Sequence, residues 1–267
     1  MKIGLTLGKF APFHYGHRFL IQTALDEMDK VIVMAYEDDC INIPVQKRAD
    51  WIRKSFKENI QNMEIIGCYD GPQAVGYTDE IMKKHEDYIL DKVGDKKITH
   101  FYSSEKYGDH VSKALKAVDR RVDMLHQTVA ISGTKIRNNP YNSKHYMPPH
   151  VYKDLIQKVA FLGAESTGKT TMAKVCSKIF NTKMVPEYGE NYWHENNKKG
   201  ILTMSDLEFI AKEQIALENN LIYNANKYLF CDTSPLTTYM FSNKVSVICE
   251  KMKAYYAYLI CLEAMLC

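Results

Sequence analysis

Very little in this 267-residue chain would staple it, anchor it or charge it strongly. Its seven cysteines, at positions 40, 68, 176, 231, 249, 261 and 267, are odd in number and contain no CxxC pair. A disulfide framework and a thiolate zinc site are therefore poor readings, and a reducing compartment is the simpler one. No apolar run approaches the ~18 residues of a membrane span. The opening Met1-Lys2-Ile3-Gly4-Leu5-Thr6-Leu7-Gly8-Lys9 is too short an apolar run for a signal peptide. A cytoplasmic protein without membrane insertion is expected. The excess of basic over acidic residues is only +3, which excludes an electrostatic clamp for nucleic acid. Low-complexity segments, heptads and internal repeats are also missing.

What remains is an alternation of short apolar runs and amphipathic stretches, the pattern of an α/β chain. Ile3 to Gly8 reads as a strand, the segment after Gly16 as a helix, and Val31 to Tyr36 as a buried parallel strand. Further strands are expected at Met63–Tyr69, Lys97–Ser104 and Val129–Ile131. Helices are expected after Pro44 and over residues 77–93, and a polar, glycine-containing loop after Ser104. The turn-rich stretch from Asn138 to Pro149 marks a domain boundary, dividing the chain into 1–150 and 151–267. The second half restarts with a strand at Val159–Ala164, a helix after Gly168, a strand-like Met184-Val185-Pro186, and a strand at Tyr228–Asp232.

The first strand runs into Gly8-Lys9-Phe10-Ala11-Pro12-Phe13-His14-Tyr15-Gly16-His17. Two histidines three apart, with glycine between them at a helix start, can aim both rings at one point. Free N–H groups and the helix dipole would favour an anion there, and Lys9 adds a fixed charge. This is a phosphate site. The segment resembles the HxGH signature of the nucleotidylyltransferase superfamily, and Ile131-Ser132-Gly133-Thr134-Lys135-Ile136-Arg137 resembles its second signature. The resemblance implies a Rossmann-like fold and adenylyl transfer. His14, His17, Lys9 and Arg137 would be catalytic, and Gly8, Phe10, Ser132, Thr134, Ser103 and Ser104 would line the ATP side. Ser103-Ser104-Glu105 with Tyr107-Gly108 resembles the nicotinamide-nucleotide branch. Where that branch usually carries an arginine, six residues before the ISGT serine, this chain has His126; either the rate suffers or Arg120 or Arg121 substitutes.

Gly163-Ala164-Glu165-Ser166-Thr167-Gly168-Lys169-Thr170 is a complete phosphate-binding loop between a strand and a helix. Lys169 would reach the β- and γ-phosphates, Thr170 would hold Mg²⁺, and Thr171 follows in the helix. The pairing of an adenylyltransferase with such a loop resembles the bifunctional NadR-type family. That resemblance implies a first domain making NAD from nicotinamide mononucleotide and ATP, and a second phosphorylating ribosylnicotinamide. It places Glu187 or Asp232 near the acceptor hydroxyl or the metal, and it allows a homo-oligomer. Glu190 stands where the family often has arginine. Only 98 residues follow Lys169. Tyr258-Leu259-Ile260-Cys261 reads as the next core strand, and an arginine-bearing lid is missing. The expectation is an incomplete kinase, at least ~10³-fold weaker than a full-length relative, with an apolar edge exposed around Tyr255–Leu266. Two other readings keep the fold: adenylyl transfer to a flavin or pantetheine phosphate, or a non-catalytic ATP-binding regulatory module.

Overall fold

A computed structural model describes residues 1–125, 127–196 and 202–244. They divide between two compact units, Met1–Tyr152 and the chain from Lys153 onward. The strand expected at Tyr258–Cys261, the apolar edge at Tyr255–Leu266 and His126 lie outside the described residues. No helix among those described is long and apolar enough to cross a membrane.

The first unit is built on strands β1 (Ile3–Gly8), β2 (Lys30–Tyr36), β3 (Met63–Cys68), β4 (His100–Ser103) and β5 (Val118–Arg121). All pairs are parallel, in the order β3-β2-β1-β4-β5. Helices α1 (Tyr15–Glu27) and α2 (Val45–Ser55) link β1 to β2 and β2 to β3. After the order reverses, α3 (Asp79–Val93) and α4 (Gly108–Leu115) supply the remaining connections. The unit ends with α5 (Gly133–Asn138) and α6 (Pro149–Asp154). Val31 to Ala35 are fully buried, as an all-apolar inner strand with helices on both faces must be. Leu5, Ile32, Met34 and Phe101 from the sheet pack with Ile89 and Val93 of α3 and Val111 of α4. The strand order reverses between β1 and β4, so a crevice opens at their carboxyl ends.

One expectation is corrected. Val129–Ile131 is not a strand. The Asp123 carboxylate takes the N–H groups of Gln127, Thr128 and Val129, and the Ile131 N–H turns back to the Val129 carbonyl at 2.8 Å, so neither Val129 nor Ile131 donates to a ladder. The fifth strand is instead β5, whose Val-Asp-Arg-Arg sequence lacks an apolar run because it is an edge strand with Val118 exposed. The polar loop expected after Ser104 is short, residues 104–107, and α4 starts at Gly108.

The second unit holds β6 (Gln157–Phe161), α7 (Lys169–Ile179), β7 (Lys183–Val185), α8 (Tyr188–Asn196), α9 (Met204–Leu221), β8 (Tyr228–Asp232) and α10 (Pro235–Lys244). Its three described strands are parallel in the order β6-β8-β7. Thr203 opens α9 with a reciprocal cap: its side chain accepts from the Asp206 N–H, and Asp206 accepts from the Thr203 N–H at 2.7 Å.

Gly108 starts α4 against a wall. A Cβ there would lie 2.3 Å from Ser103 Oγ and 2.8 Å from the Arg121 guanidinium. Gly108→Ala is expected to cost at least ~2 kcal/mol through overpacking. The check is urea denaturation; an unchanged midpoint would contradict this packing.

Candidate functional site

The first site sits where β1 and β2 end. Arg48 on α2 is completely buried. Its Nη1 donates to the carbonyls of Lys9 (2.7 Å) and Tyr36 (2.6 Å), and its Nη2 pairs with Glu37 at 2.6 Å. Burial lowers the Arg48 pKa and the Glu37 carboxylate opposes that shift. Arg48 therefore fixes where the chain leaves both strands. It is absent from the motif reading, in which a basic residue on an amphipathic helix belongs to the solvated face.

Beyond Lys9, Phe10 adopts a left-handed backbone (φ 50°) with its ring buried. Phe10 can therefore meet a ligand only through its backbone. His14 caps α1: its Nδ1 accepts from the N–H of Gly16 (3.1 Å) and of His17 (3.4 Å), while His17 Nδ1 accepts from the N–H of His14 (3.4 Å). The two rings stack with centroids 3.7 Å apart. A Cβ on Gly16 would approach the His14 ring to 3.0 Å, so the residue between the histidines must be small. Two first-turn N–H groups, expected to face an anion, are thus spent on His14. Because each Nδ1 accepts, each neutral ring carries its proton on Nε2, and the imidazoles take over as donors. Phe10 and Phe13 pack on His17, with centroids at 5.0 Å and 5.9 Å. Burial, and secondarily the His14 ring, holds the His17 pKa well below the usual 6.5.

The second signature approaches from α5. Ser132 caps the helix by accepting from the Lys135 N–H at 3.3 Å. Arg137 donates from Nη2 to Thr134 Oγ1 at 3.0 Å and from Nη1 to the Ala11 carbonyl, tying α5 to the segment before His14. Arg137 and Lys9 share a cavity of about 360 Å³ with Asp38, Asp39 and Gln73. Lys9 pairs with Asp38. Of the residues of the two signatures, Lys9 and Arg137 line this cavity, while Gly8, His14, His17, Ser132 and Thr134 are not among its lining residues; the Arg137–Ala11 bond is what joins α5 to the segment that leads to His14.

Ser103 faces inward. Its hydroxyl donates to the Glu105 carbonyl at 3.3 Å and accepts from Arg121 at 3.2 Å, so it shapes the loop, while the next residue, Ser104, is half-buried. Arg121 also binds Asp119 and Asp109 at 2.8 Å and 2.6 Å, and Arg120 makes a two-point pair with Glu27. Both arginines, the expected substitutes for the family arginine, are held in ion pairs on β5.

In the second unit, the parallel register sets Phe161 beside Asp232 and Val185 beside Cys231, so the loops after β6, β7 and β8 open on one side. Gly163 (φ 153°), Ser166 (φ 58°) and Gly168 (φ 87°) bend the loop, and α7 starts at Lys169 with Thr170 and Thr171 in its first turn. Lys169 Nζ and Thr167 Oγ1 each donate to the Ala164 carbonyl at 2.8 Å. Glu165 is exposed in the loop, and its charge reaches Glu187. Burial, with the Asp232 charge adding, raises the Glu187 pKa, and Lys169 partly opposes this. Asp232 is buried, with Oδ1 lacking a hydrogen-bond partner among the described residues. Gln214, buried on α9, accepts from the Tyr188 N–H (2.9 Å) and donates to the Pro186 carbonyl (3.3 Å), clamping the backbone on both sides of Glu187. Its sequence signal is a single amide on the apolar face of an amphipathic helix. No cluster of three or more metal-type side chains occurs among the described residues.

The His17 environment yields a pH prediction. Between its lowered pKa and about 6.5 the unfolded chain binds the proton and the folded chain does not. Folding stability should therefore fall as pH drops below about 6.5 and level off beneath the folded pKa. Imidazole NMR titration should place the His17 midpoint below 6.5, with the proton of the neutral ring on Nε2. A midpoint at or above 6.5 would contradict the half-buried, His14-facing geometry.

Residues 5–139 match the model of the cytidylyltransferase-like family, and residues 158–255 match that of an AAA domain. Two curated proteins called trifunctional NAD biosynthesis/regulator protein NadR, from Salmonella typhimurium and Escherichia coli, are each 29% identical over 257 residues. The alignments cover 91% of this chain and 62% of each relative, so the chain spans less than two thirds of their length. A NadR protein solved with NAD and AMP-PNP superposes with a TM-score of 0.57 at 22% identity, over 89% of this chain and 70% of that one. Another, solved with NR, gives 0.57 at 23% identity, over 98% and 75%. The structural likeness is one of fold, and the sequence relationship makes this chain a NadR-type homologue. With the first match covering just over half of its length, the chain belongs to the cytidylyltransferase-like family, its Rossmann-like domain followed by a P-loop, AAA-like domain.

Proposed function

We propose that the first unit transfers the adenylyl group of ATP to nicotinamide mononucleotide, giving NAD and pyrophosphate. The observation that carries this reading is that Arg137 shares a cavity with Lys9 and bonds to the Ala11 carbonyl, three residues before His14, whose ring and that of His17 have their Nδ1 atoms engaged and their Nε2–H groups left as donors. An oxygen of the acceptor phosphate attacks the α-phosphorus, and the bond from that phosphorus to the bridging oxygen of the β-phosphate breaks. The attacking phosphate is already ionised, so no base is required, and the work is positioning and charge stabilisation. His17 suits this because it is neutral near pH 7 and donates without adding a proton to the balance. Lys9 and Arg137, with Ser132 and Thr134 beside them, are suited to the departing β- and γ-phosphates. Gly8 and the Phe10 backbone shape the floor, with Ser103 and Ser104 on the adenine side.

The second unit, on the same proposal, binds ATP through Gly163–Thr171 as a domain related to ribosylnicotinamide kinases. Its oxygen donors suit Mg²⁺, a hard cation that takes few protein ligands besides phosphate: the Thr170 hydroxyl and the unpartnered Asp232 Oδ1 would hold it. Bound there, the metal would neutralise charge developing on the transferred phosphoryl group. Glu187, with its raised pKa, is chemically suited to accept the proton of an acceptor hydroxyl, with Asp232 the alternative.

Pyrophosphate release measured with nicotinamide, nicotinate and flavin mononucleotides tests the acceptor. Turnover is expected with nicotinamide mononucleotide, and release with the flavin alone would overturn the assignment. His17→Ala should lower turnover by ~100-fold or more, because a transition-state contact is lost; an unchanged rate would remove His17 from the mechanism. Arg137→Ala should weaken ATP use by ~10-fold or more and Arg137→Lys should recover only part, since a point charge cannot replace a two-point fork. Full activity in Arg137→Ala would place the phosphate tail elsewhere.

A further inference from the structure

The cavity at the ends of β1 and β2 contains a carboxylate that adenylyl transfer leaves without a task. Asp38 pairs with Lys9 and accepts the Cys40 N–H on Oδ1 at 2.9 Å. It is also near enough to Arg137 to be acidified by that charge, though Lys9 is the larger cause. The carboxylate is the fixed partner, its side chain only 13% exposed, while Lys9 is 52% exposed on a long stem. Asp38 thus sits between two cations, where an anionic ligand would have to compete with it. Asp39 lines the same cavity and makes no ion pair among the described residues.

We propose that Asp38 is an internal competitor for Lys9, a positioning residue that holds the lysine when no polyphosphate is bound and reclaims it as pyrophosphate leaves. The proposal rests on reading this cavity as the polyphosphate site. A triphosphate offers several charged oxygens to Lys9 and Arg137 together and can displace one carboxylate. Pyrophosphate without its nucleoside has fewer other contacts, so the competition weighs most on the product. The apparent affinity of any polyphosphate is reduced by the fraction of molecules in which Lys9 is held.

The test is calorimetric titration of the full chain with inorganic pyrophosphate and Mg²⁺. Lys169→Ala is present throughout, so that the loop of the second unit does not contribute. Asp38→Asn keeps the acceptor for the Cys40 N–H and should tighten pyrophosphate binding roughly five-fold, the scale of a partly exposed ion pair. Asp39→Asn, which removes the same charge from the same cavity, should change it less than about two-fold. In a Lys9→Met background the gain from Asp38→Asn should vanish, and product inhibition by pyrophosphate should strengthen in Asp38→Asn by the same factor as binding. Equal gains from Asp38→Asn and Asp39→Asn, a gain that survives Lys9→Met, or no gain would each overturn the proposal. If pyrophosphate binds the parent but Asp38→Asn changes nothing, only the competitor idea falls. If the parent does not bind it at all, the polyphosphate reading of the cavity falls as well.

Discussion

The guanidinium of Arg48 reaches from α2 between the ends of β1 and β2 and donates to one backbone carbonyl from each, Lys9 and Tyr36. Parallel strands share no turn, so nothing local sets how their outgoing loops sit relative to each other. Arg48 supplies that constraint, and Glu37 balances its charge. The arrangement has a cost, since its Nε is buried with no partner among the described residues. From this fixed point the Lys9–Pro12 segment runs to His14, and Arg137 closes back on Ala11. Positions of the first site separated widely in sequence are therefore referred to one buried charge.

On the proposed function, the two units would meet phosphate in different ways. In the second, positive backbone angles at Gly163, Ser166 and Gly168 curl the loop so that N–H groups stand at the start of α7. In the first, the helix start is consumed by His14, and two stacked imidazoles present Nε2–H groups in its place. Imidazole donors can be tuned by burial in a way backbone amides cannot, and packing of Phe10 and Phe13 on His17 does this. The glycines serve different ends accordingly. Gly16 makes room for a ring, while Gly168 allows a left-handed turn.

Most of the parallel sheet was legible because inner strands must be apolar on both faces: Val31 to Tyr36 and Tyr228 to Asp232 announce themselves. β5 was not, since an edge strand carrying Asp119, Arg120 and Arg121 has no periodicity to read. Val129–Ile131 misled for the opposite reason, being apolar but with its preceding N–H groups tied to Asp123. In the sites, motif residues were visible from spacing, whereas the groups that hold them were not. Arg48 and Gln214 look like ordinary helix polars until their partners, distant in sequence, are seen. The capping role of His14 was hidden too, because imidazole is not a usual cap residue.

On the proposed function, the first unit breaks ATP between its α- and β-phosphates. Phosphorus NMR of the Lys169→Ala chain with ATP, Mg²⁺ and nicotinamide mononucleotide tests it most directly, because the variant leaves that chemistry to the first unit. The α-phosphorus should appear in a dinucleotide diphosphate and the β and γ nuclei together in pyrophosphate. ADP with phosphate on another acceptor, or unchanged ATP, would contradict it.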